Sequence, residues 1–217
     1  MKIAFLGDSI TLGYGLDCRE DRYATLICKQ LDAEEANFGI TGTLMARAGM
    51  NREDGKSFLD RLHLLEDADL AVIFGGTNDY FWSDRPIGNE TSGEDYFAGA
   101  VEEICQKISE IRDKKTILLV TPYSHNGIGN YYGGLHFEDA SRHDTTERNY
   151  HGHCLKEYVD VLVQAAGRHN IAVLDLHEGS DFDWKVHTMD GCHPNEEGHK
   201  WLADRIGEAI ANLCRLV

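Results

Sequence analysis

The stretch Leu70-Ala71-Val72-Ile73-Phe74 is apolar throughout and runs directly into Gly75-Gly76-Thr77-Asn78-Asp79. A run of this length suits a strand, and a strand without a polar face is typical of one that helices cover on both sides. Four other short runs, most of them equally apolar, predict further strands at Ile3–Leu6, Ala36–Phe38, Ile117–Val120 and Ile171–Leu174.

Amphipathic segments separate these runs, with apolar residues recurring at helical spacing. One lies behind a predicted Thr91-x-x-Glu94 capping box, and another ends at a predicted stop, Gly167. Strand and helix alternate to the end of the chain, without a repeat, a low-complexity tract or a linker-like shift in composition. The pattern predicts one α/β domain over residues 1–217, with a parallel sheet between two layers of helices.

Composition and charge exclude several classes of function. The 217 residues are 42% hydrophobic and 27% charged, which is typical of a soluble globular protein. The apolar run at Leu70–Phe74 is the longest, far below the roughly 18 residues of a membrane span. The net charge of −16 repels phosphate backbones and anionic membranes. We therefore expect neither a nucleic-acid partner nor a membrane span. A small molecule is the expected substrate.

The cysteines and the first residues predict a location. Six cysteines without the spacing of a disulfide scaffold or a zinc site are typical of reduced thiols. Met1–Asp8 contains too short an apolar stretch for a secretory signal. We expect a cytoplasmic protein without a metal or cofactor.

Polar residues follow the predicted strands where each strand ends. In an open parallel sheet these ends meet along one edge, where ligands collect. The segments concerned are Gly7-Asp8-Ser9, Asn37-Phe38-Gly39, Gly76-Thr77-Asn78-Asp79 and, before the last helix, Asp190-Gly191-Cys192-His193. Together they contain the parts of an acyl-transfer site.

Each part has a chemical role. The Ser9 hydroxyl needs a base to act as a nucleophile, His193 can supply it, and Asp190 can orient the imidazole. The backbone N–H groups of Ser9 and Gly39 and the Asn78 amide are candidate donors to an oxyanion. We expect glycine at position 39 because a side chain would crowd the substrate.

The four segments resemble, in order, the blocks of the SGNH hydrolases, also called GDSL esterases/lipases. The resemblance runs from Gly7 to His193, with isoleucine at position 10 in place of the eponymous leucine. It implies a flavodoxin-like three-layer α/β/α fold with strand order 2-1-3-4-5, and a serine mechanism on carboxylic esters without metal or cofactor. Block by block, it implies Ser9 as nucleophile, Gly39 and Asn78 in the oxyanion hole, and Asp190 and His193 completing the triad.

The same residues are compatible with other functions. An acyltransferase would use the same residues, a ligand-binding member of the fold would not react at Ser9, and a metal-dependent hydrolase would use Asp190 and His193. We interpret several neighbours as structural: Asp8 and Asp79 through hydrogen bonds, Asn37 as support behind Gly39, and Gly42 and Gly76 through tight turns. Aromatic residues that form either a substrate pocket or loop anchors are Tyr80, Phe81, Trp82, Tyr131, Tyr132 and Trp184.

Overall fold

Five parallel strands form one sheet at the centre of the structure. The computed structural model describes residues 1–48, 56–125, 148–149, 151–178 and 180–216. Neighbouring strands pair in parallel in the order β2-β1-β3-β4-β5, which confirms the predicted order. The strands are β1 (Lys2–Gly7), β2 (Glu34–Gly39), β3 (Leu70–Phe74), β4 (Ile117–Val120) and β5 (Ala172–Leu174).

Helices connect the strands and cover both faces of the sheet. The α-helices are α1 (Ser9–Leu12), α2 (Tyr23–Gln30), α3 (Thr77–Trp82), α4 (Phe97–Ile111), α5 (Leu155–His169), α6 (Trp184–His187) and α7 (Glu196–Leu216). Short 3-10 helices span Arg19–Asp21, Leu59–Leu65 and Lys114–Thr116.

The central strand β3 shows why an apolar run is needed. Successive side chains of a strand point to opposite faces. Ala71 and Ile73 pack into the core beneath α4, α5 and the 59–65 helix, whereas Leu70, Val72 and Phe74 pack against α2 and α7. Helices therefore cover both faces of β3 and exclude water from them, and the three-layer α/β/α prediction is confirmed.

Two predicted helix boundaries are wrong. Helix α4 begins only at Phe97, and its N-cap residue, Tyr96, makes no side-chain cap. Thr91 and Glu94 both precede the helix, and Glu94 pairs with Arg47. Helix α5 continues past Gly167 to His169, and the residue that ends it is Asn170, in the left-handed conformation (φ 54°).

The structure describes all of one predicted loop, the start of the other, and all six cysteines. The predicted loop Asp79–Gly93 starts as the end of α3, while of the predicted loop Ser124–His143 only the first two residues are described. The six cysteines are free thiols, and three of them, Cys28, Cys105 and Cys192, are buried. Within the described residues, no helix is both long and apolar enough to span a membrane.

Candidate active site

The chain turns sharply from β1 into α1 and presents Ser9 as the first residue of the helix. Asp8 caps α1, its Oδ1 accepting a hydrogen bond from the Ile10 N–H at 2.9 Å. At Gly7 a Cβ would lie 1.9 Å from Thr11 Oγ1, so only glycine allows the strand to pass so close to the helix. This turn places Ser9 at the carboxyl edge of the sheet.

Ser9, His193 and Asp190 form a continuous hydrogen-bonded chain. Ser9 Oγ lies 3.1 Å from His193 Nε2, and His193 Nδ1 lies 2.6 Å from Asp190 Oδ2. The Nδ1–H donates to the carboxylate, which leaves Nε2 as the acceptor for the hydroxyl in a neutral ring. The structure thus brings together three predicted residues, of which Ser9 and His193 are 184 positions apart in sequence.

Asp190 holds the loop that carries the imidazole. Its Oδ1 accepts from the N–H groups of Cys192 (3.0 Å) and His193 (2.7 Å), while its Oδ2 bonds the ring. Partial burial would raise the pKa of Asp190, but the hydrogen bonds from the ring and the backbone of His193 hold it at about 2. The carboxylate is therefore ionised at neutral pH and can stabilise a protonated imidazole.

Tyr123, three residues after the end of β4, holds the same segment from the interior. Its hydroxyl is buried and donates to the Cys192 carbonyl at 2.6 Å. The Thr188 hydroxyl accepts from the Gly191 N–H at 2.9 Å, where the backbone has a φ of 93°. Sequence reasoning missed Tyr123, because nothing local to it shows that a carbonyl 69 positions away is its partner.

Asn78 lies in the first turn of α3, beside the turn that carries Ser9. Its amide nitrogen donates to Asp8 Oδ2 at 3.2 Å and to the Thr43 carbonyl at 3.1 Å. Gly76, at φ 107°, makes the tight turn before the helix, as predicted. The Asn78 amide is thus held between the turn that follows β1 and the loop that follows β2.

Gly39 occupies a different environment from the one predicted. Its N–H donates to Asn37 Oδ1 at 3.0 Å, and Asn37 Nδ2 donates to the Thr11 carbonyl at 2.9 Å. A Cβ at position 39 would lie 2.2 Å from the Leu12 nitrogen. The close backbone of α1 therefore requires glycine at this position, a constraint that the sequence did not indicate. Asn37 supports Gly39, as expected.

The loop after Gly39 brings Gly42 close to Asn78. Gly42 is buried, has a φ of 73° and directly precedes Thr43, whose carbonyl accepts from the Asn78 amide. The positive φ agrees with the predicted tight turn. Gly42 therefore lies directly before the carbonyl that holds the Asn78 amide.

A buried guanidinium joins the ends of β1 and β2. Arg61 donates to the carbonyls of Phe38 (2.6 Å) and Gly7 (3.3 Å) and to Thr43 Oγ1 (2.9 Å). It therefore ties together the turns that carry Ser9 and Gly42. Sequence reasoning missed this role, because an arginine on an amphipathic segment such as Leu59–Leu65 is usually exposed.

Two buried carboxyl groups lie beneath the site. Asp79 accepts from the N–H groups of Met45 and Ala46, both at 2.9 Å, and burial raises its pKa to about 7. Burial likewise raises the pKa of Asp8 to about 6, although the Ile10 N–H opposes the shift. Both act through hydrogen bonds to neighbouring backbone or side chains, as predicted.

The aromatic residues divide between the core and the site. Tyr80 and Phe81 are each 5% exposed and pack in the core, so they anchor α3. By contrast, the ring of Tyr14 lies against His193, with centroids 4.7 Å apart, a contact that sequence reasoning missed. Tyr131 and Tyr132 lie outside the described residues. No group of three or more histidine, cysteine, aspartate or glutamate side chains in the described ranges could hold a metal ion.

Comparison with known proteins identifies the family. The model of the GDSL-like lipase/acylhydrolase family matches residues 5–201, a span that includes both Ser9 and His193. The chain belongs to this family. The match confirms the resemblance seen in the sequence. Membership of this family indicates that the chain is a hydrolase.

Solved structures support the same assignment. This GDSL-like hydrolase is 27% identical to a lipase/acylhydrolase from Enterococcus faecalis, with a TM-score of 0.63 over 96% of this chain and 94% of the other. A protein from Lactobacillus plantarum is 22% identical, with a TM-score of 0.79 over 97% and 96%. The acetyl xylan esterase AlAXEase is also 22% identical, with a TM-score of 0.61 over 97% of this chain and 100% of the other. At this identity, the similarity to these last two structures shows the fold alone. A search of curated proteins finds no match.

Proposed function

We propose that the chain is a serine esterase that cleaves carboxylic esters through an acyl-enzyme on Ser9. The observation that carries the proposal is the hydrogen-bonded chain from Ser9 Oγ through both nitrogens of His193 to Asp190, at 3.1 and 2.6 Å. A hydroxyl, an imidazole and an ionised carboxylate in this order make a serine nucleophilic near neutral pH. Membership of an acylhydrolase family supports the same reaction.

The proposed reaction has two halves. Ser9 Oγ attacks the ester carbonyl carbon while His193 Nε2 takes the hydroxyl proton. The tetrahedral intermediate collapses, the bond to the alcohol oxygen breaks, and His193 returns the proton to that oxygen. Water then attacks the acyl-enzyme with His193 again as base, the carboxylic acid leaves, and the Ser9 hydroxyl is restored. Asp190 stabilises the imidazolium in both halves.

The proposed oxyanion hole consists of the Ser9 N–H, the Asn78 amide and a backbone N–H of the loop after β2. Gly42 is the better third donor. The N–H of Gly39 already donates to Asn37 Oδ1, and the backbone of α1 lies close against the Cα of Gly39. Asn78 would exchange a hydrogen bond to Asp8 or Thr43 for one to the oxyanion. Each such donor contributes about 3 kcal/mol to transition-state stabilisation.

Replacement of the nucleophile tests the proposal. Ser9→Ala is expected to lower the turnover of an activated ester by at least about a thousandfold. The matched control is Ser109→Ala on α4, whose hydroxyl donates only to the Cys105 carbonyl of its own helix. Full activity in the Ser9→Ala protein, with its fold intact by circular dichroism, would end the serine mechanism.

Two further measurements separate the remaining alternatives. A fluorophosphonate should label the wild-type protein at Ser9, whereas a ligand-binding member of the fold would not react. Product analysis in the presence of an added alcohol then distinguishes water from an alcohol as the acyl acceptor. Release of free acid as the main product supports the esterase, and transfer of the acyl group to the added alcohol supports an acyltransferase.

A further inference from the structure

Two large apolar side chains are exposed beside the candidate active site. Tyr14 is 47% exposed and Met189 is 46% exposed. Isolated exposed apolar residues are ordinary on a protein surface, but neighbouring ones at a reaction centre are a candidate contact surface for substrate. Each of the two is linked through its backbone to a residue of the hydrogen-bonded chain.

The backbone around Tyr14 sets the position of its ring. Its N–H donates to the Ser9 carbonyl at 2.9 Å, and it lies between Gly13 and Gly15, whose φ values are 79° and 84°. The ring then lies against the imidazole of His193, with centroids 4.7 Å apart and planes at 45°. Tyr14 is therefore attached to the nucleophile through its backbone and in contact with the base through its ring.

Met189 extends this surface over Gly15, the residue after Tyr14. Its N–H donates to the His193 carbonyl at 2.9 Å. Its side chain lies directly on Gly15, where a Cβ would be 2.4 Å from the Met189 methyl carbon. Tyr14, Gly15 and Met189 thus form one continuous apolar surface, which we call the Tyr14–Met189 surface.

The chemistry of His193 indicates which part of a substrate would meet this surface. The imidazole gives its proton to the departing alcohol oxygen, so that oxygen comes within hydrogen-bond distance of Nε2. Groups attached to the oxygen extend over the residues that border the ring. We propose that the Tyr14–Met189 surface is the leaving-group subsite and takes the apolar alkyl or aryl alcohol of a neutral ester. This inference rests on the proposed esterase function.

Charge and side-chain chemistry together restrict the alcohol. A phenol ring and a thioether cover hydrocarbon well and offer few hydrogen bonds to a polyhydroxylated alcohol. The net charge of −16 disfavours an anionic leaving group. The expected preference is for butyl or benzyl alcohol over glycerol.

A series of acetate esters tests the preference while the acyl group stays constant. The rate of acid release is measured in a pH-stat for ethyl, butyl and benzyl acetate and for glycerol monoacetate. Each covered methylene is expected to raise kcat/KM about two- to fourfold, so butyl acetate, with two more methylenes, should exceed ethyl acetate by about four- to sixteenfold. Glycerol monoacetate should stay near ethyl acetate.

Variants assign the effect to the surface. Tyr14→Ser and Met189→Ser are each expected to lower the butyl-to-ethyl ratio of kcat/KM by at least about twofold. Ile111→Ser, which removes a similarly exposed apolar side chain (41%) at the end of α4, should leave the ratio unchanged. An unchanged ratio in both site variants, or a wild-type enzyme indifferent to the alcohol, overturns the inference.

The design separates this inference from the proposed function. Turnover of acetates and labelling of Ser9 by a fluorophosphonate, without any dependence on the alcohol, would overturn the leaving-group subsite and leave the esterase standing. If the protein neither turned over acetates nor became labelled at Ser9, both the subsite and the esterase function would be overturned. Circular dichroism and thermal unfolding of each variant show whether a lost ratio reflects the subsite or a disturbed fold.

Discussion

The buried imidazole of His199, near the start of α7, makes the stability of the chain depend on pH. The side chain is inaccessible to solvent, and its Nδ1 accepts from the Tyr23 N–H at 3.2 Å, which ties α7 to α2. Burial lowers the pKa of His199 from 6.5 to about 4. Protonation would place a charge in the core and would remove the acceptor of the Tyr23 N–H.

The size of the effect follows from these pKa values. Between pH 6.5 and pH 4 the unfolded chain binds a proton at His199 and the folded chain does not, so stability falls as the pH falls. Each pH unit within this window changes the free energy of unfolding by about 1.4 kcal/mol. From pH 7.5 to pH 5 the loss due to His199 is about 2 kcal/mol.

Urea unfolding of His199→Gln at the two pH values isolates this contribution. Glutamine can still accept from the Tyr23 N–H but does not titrate, so we expect it to lower stability at pH 7.5 through lost packing. The difference in free energy of unfolding between wild type and variant should then change by about 2 kcal/mol from pH 7.5 to pH 5, in favour of the variant. The same substitution at the exposed His63 serves as the control for the loss of an imidazole outside the core.

The two buried carboxyl groups act in the opposite direction. The raised pKa values of Asp8 and Asp79, about 6 and about 7, mean that the folded chain binds protons there first, so falling pH stabilises it. Because wild type and His199→Gln share both groups, their contribution cancels in the difference. A gap that stays constant between pH 7.5 and pH 5 would show that His199 does not titrate as derived.

Two further substitutions test the oxyanion side of the site. Asn78→Ala should lower kcat by about two powers of ten, because the amide acts on charge that develops in the transition state; steady-state kinetics that change only KM would remove Asn78 from this role. Gly39→Ala should displace α1, since its methyl group would lie 2.2 Å from the Leu12 nitrogen. We expect a loss of about 1–3 kcal/mol in stability and slower labelling of Ser9 by a fluorophosphonate, whereas an unchanged unfolding midpoint and labelling rate would show that the backbone yields.

Local patterns in the sequence were sufficient for the architecture. The apolar runs predict β3 and β4 at the residues where the structure has them, and place β1, β2 and β5 within a few residues. This works because a strand buried on both faces leaves a continuous apolar signal that does not depend on its partners. Helix ends are harder to predict from local patterns. Gly167 predicts the end of α5, but the helix ends at Asn170, because tertiary packing of α5 outweighs the low helix propensity of glycine.

The sequence by itself also determined the residue types of the candidate site, because each block follows a strand and parallel strands end at one edge. Only the tertiary structure decided the distances among them and the partners that hold them. Tyr123, Arg61 and Tyr14 contact this site from distant segments or through a turn, and no local pattern reveals such contacts. The orientation of the Gly39 N–H toward Asn37 is likewise a property of packed backbone. Side chains that act through long-range contacts acquire their roles only when the chain has folded around them.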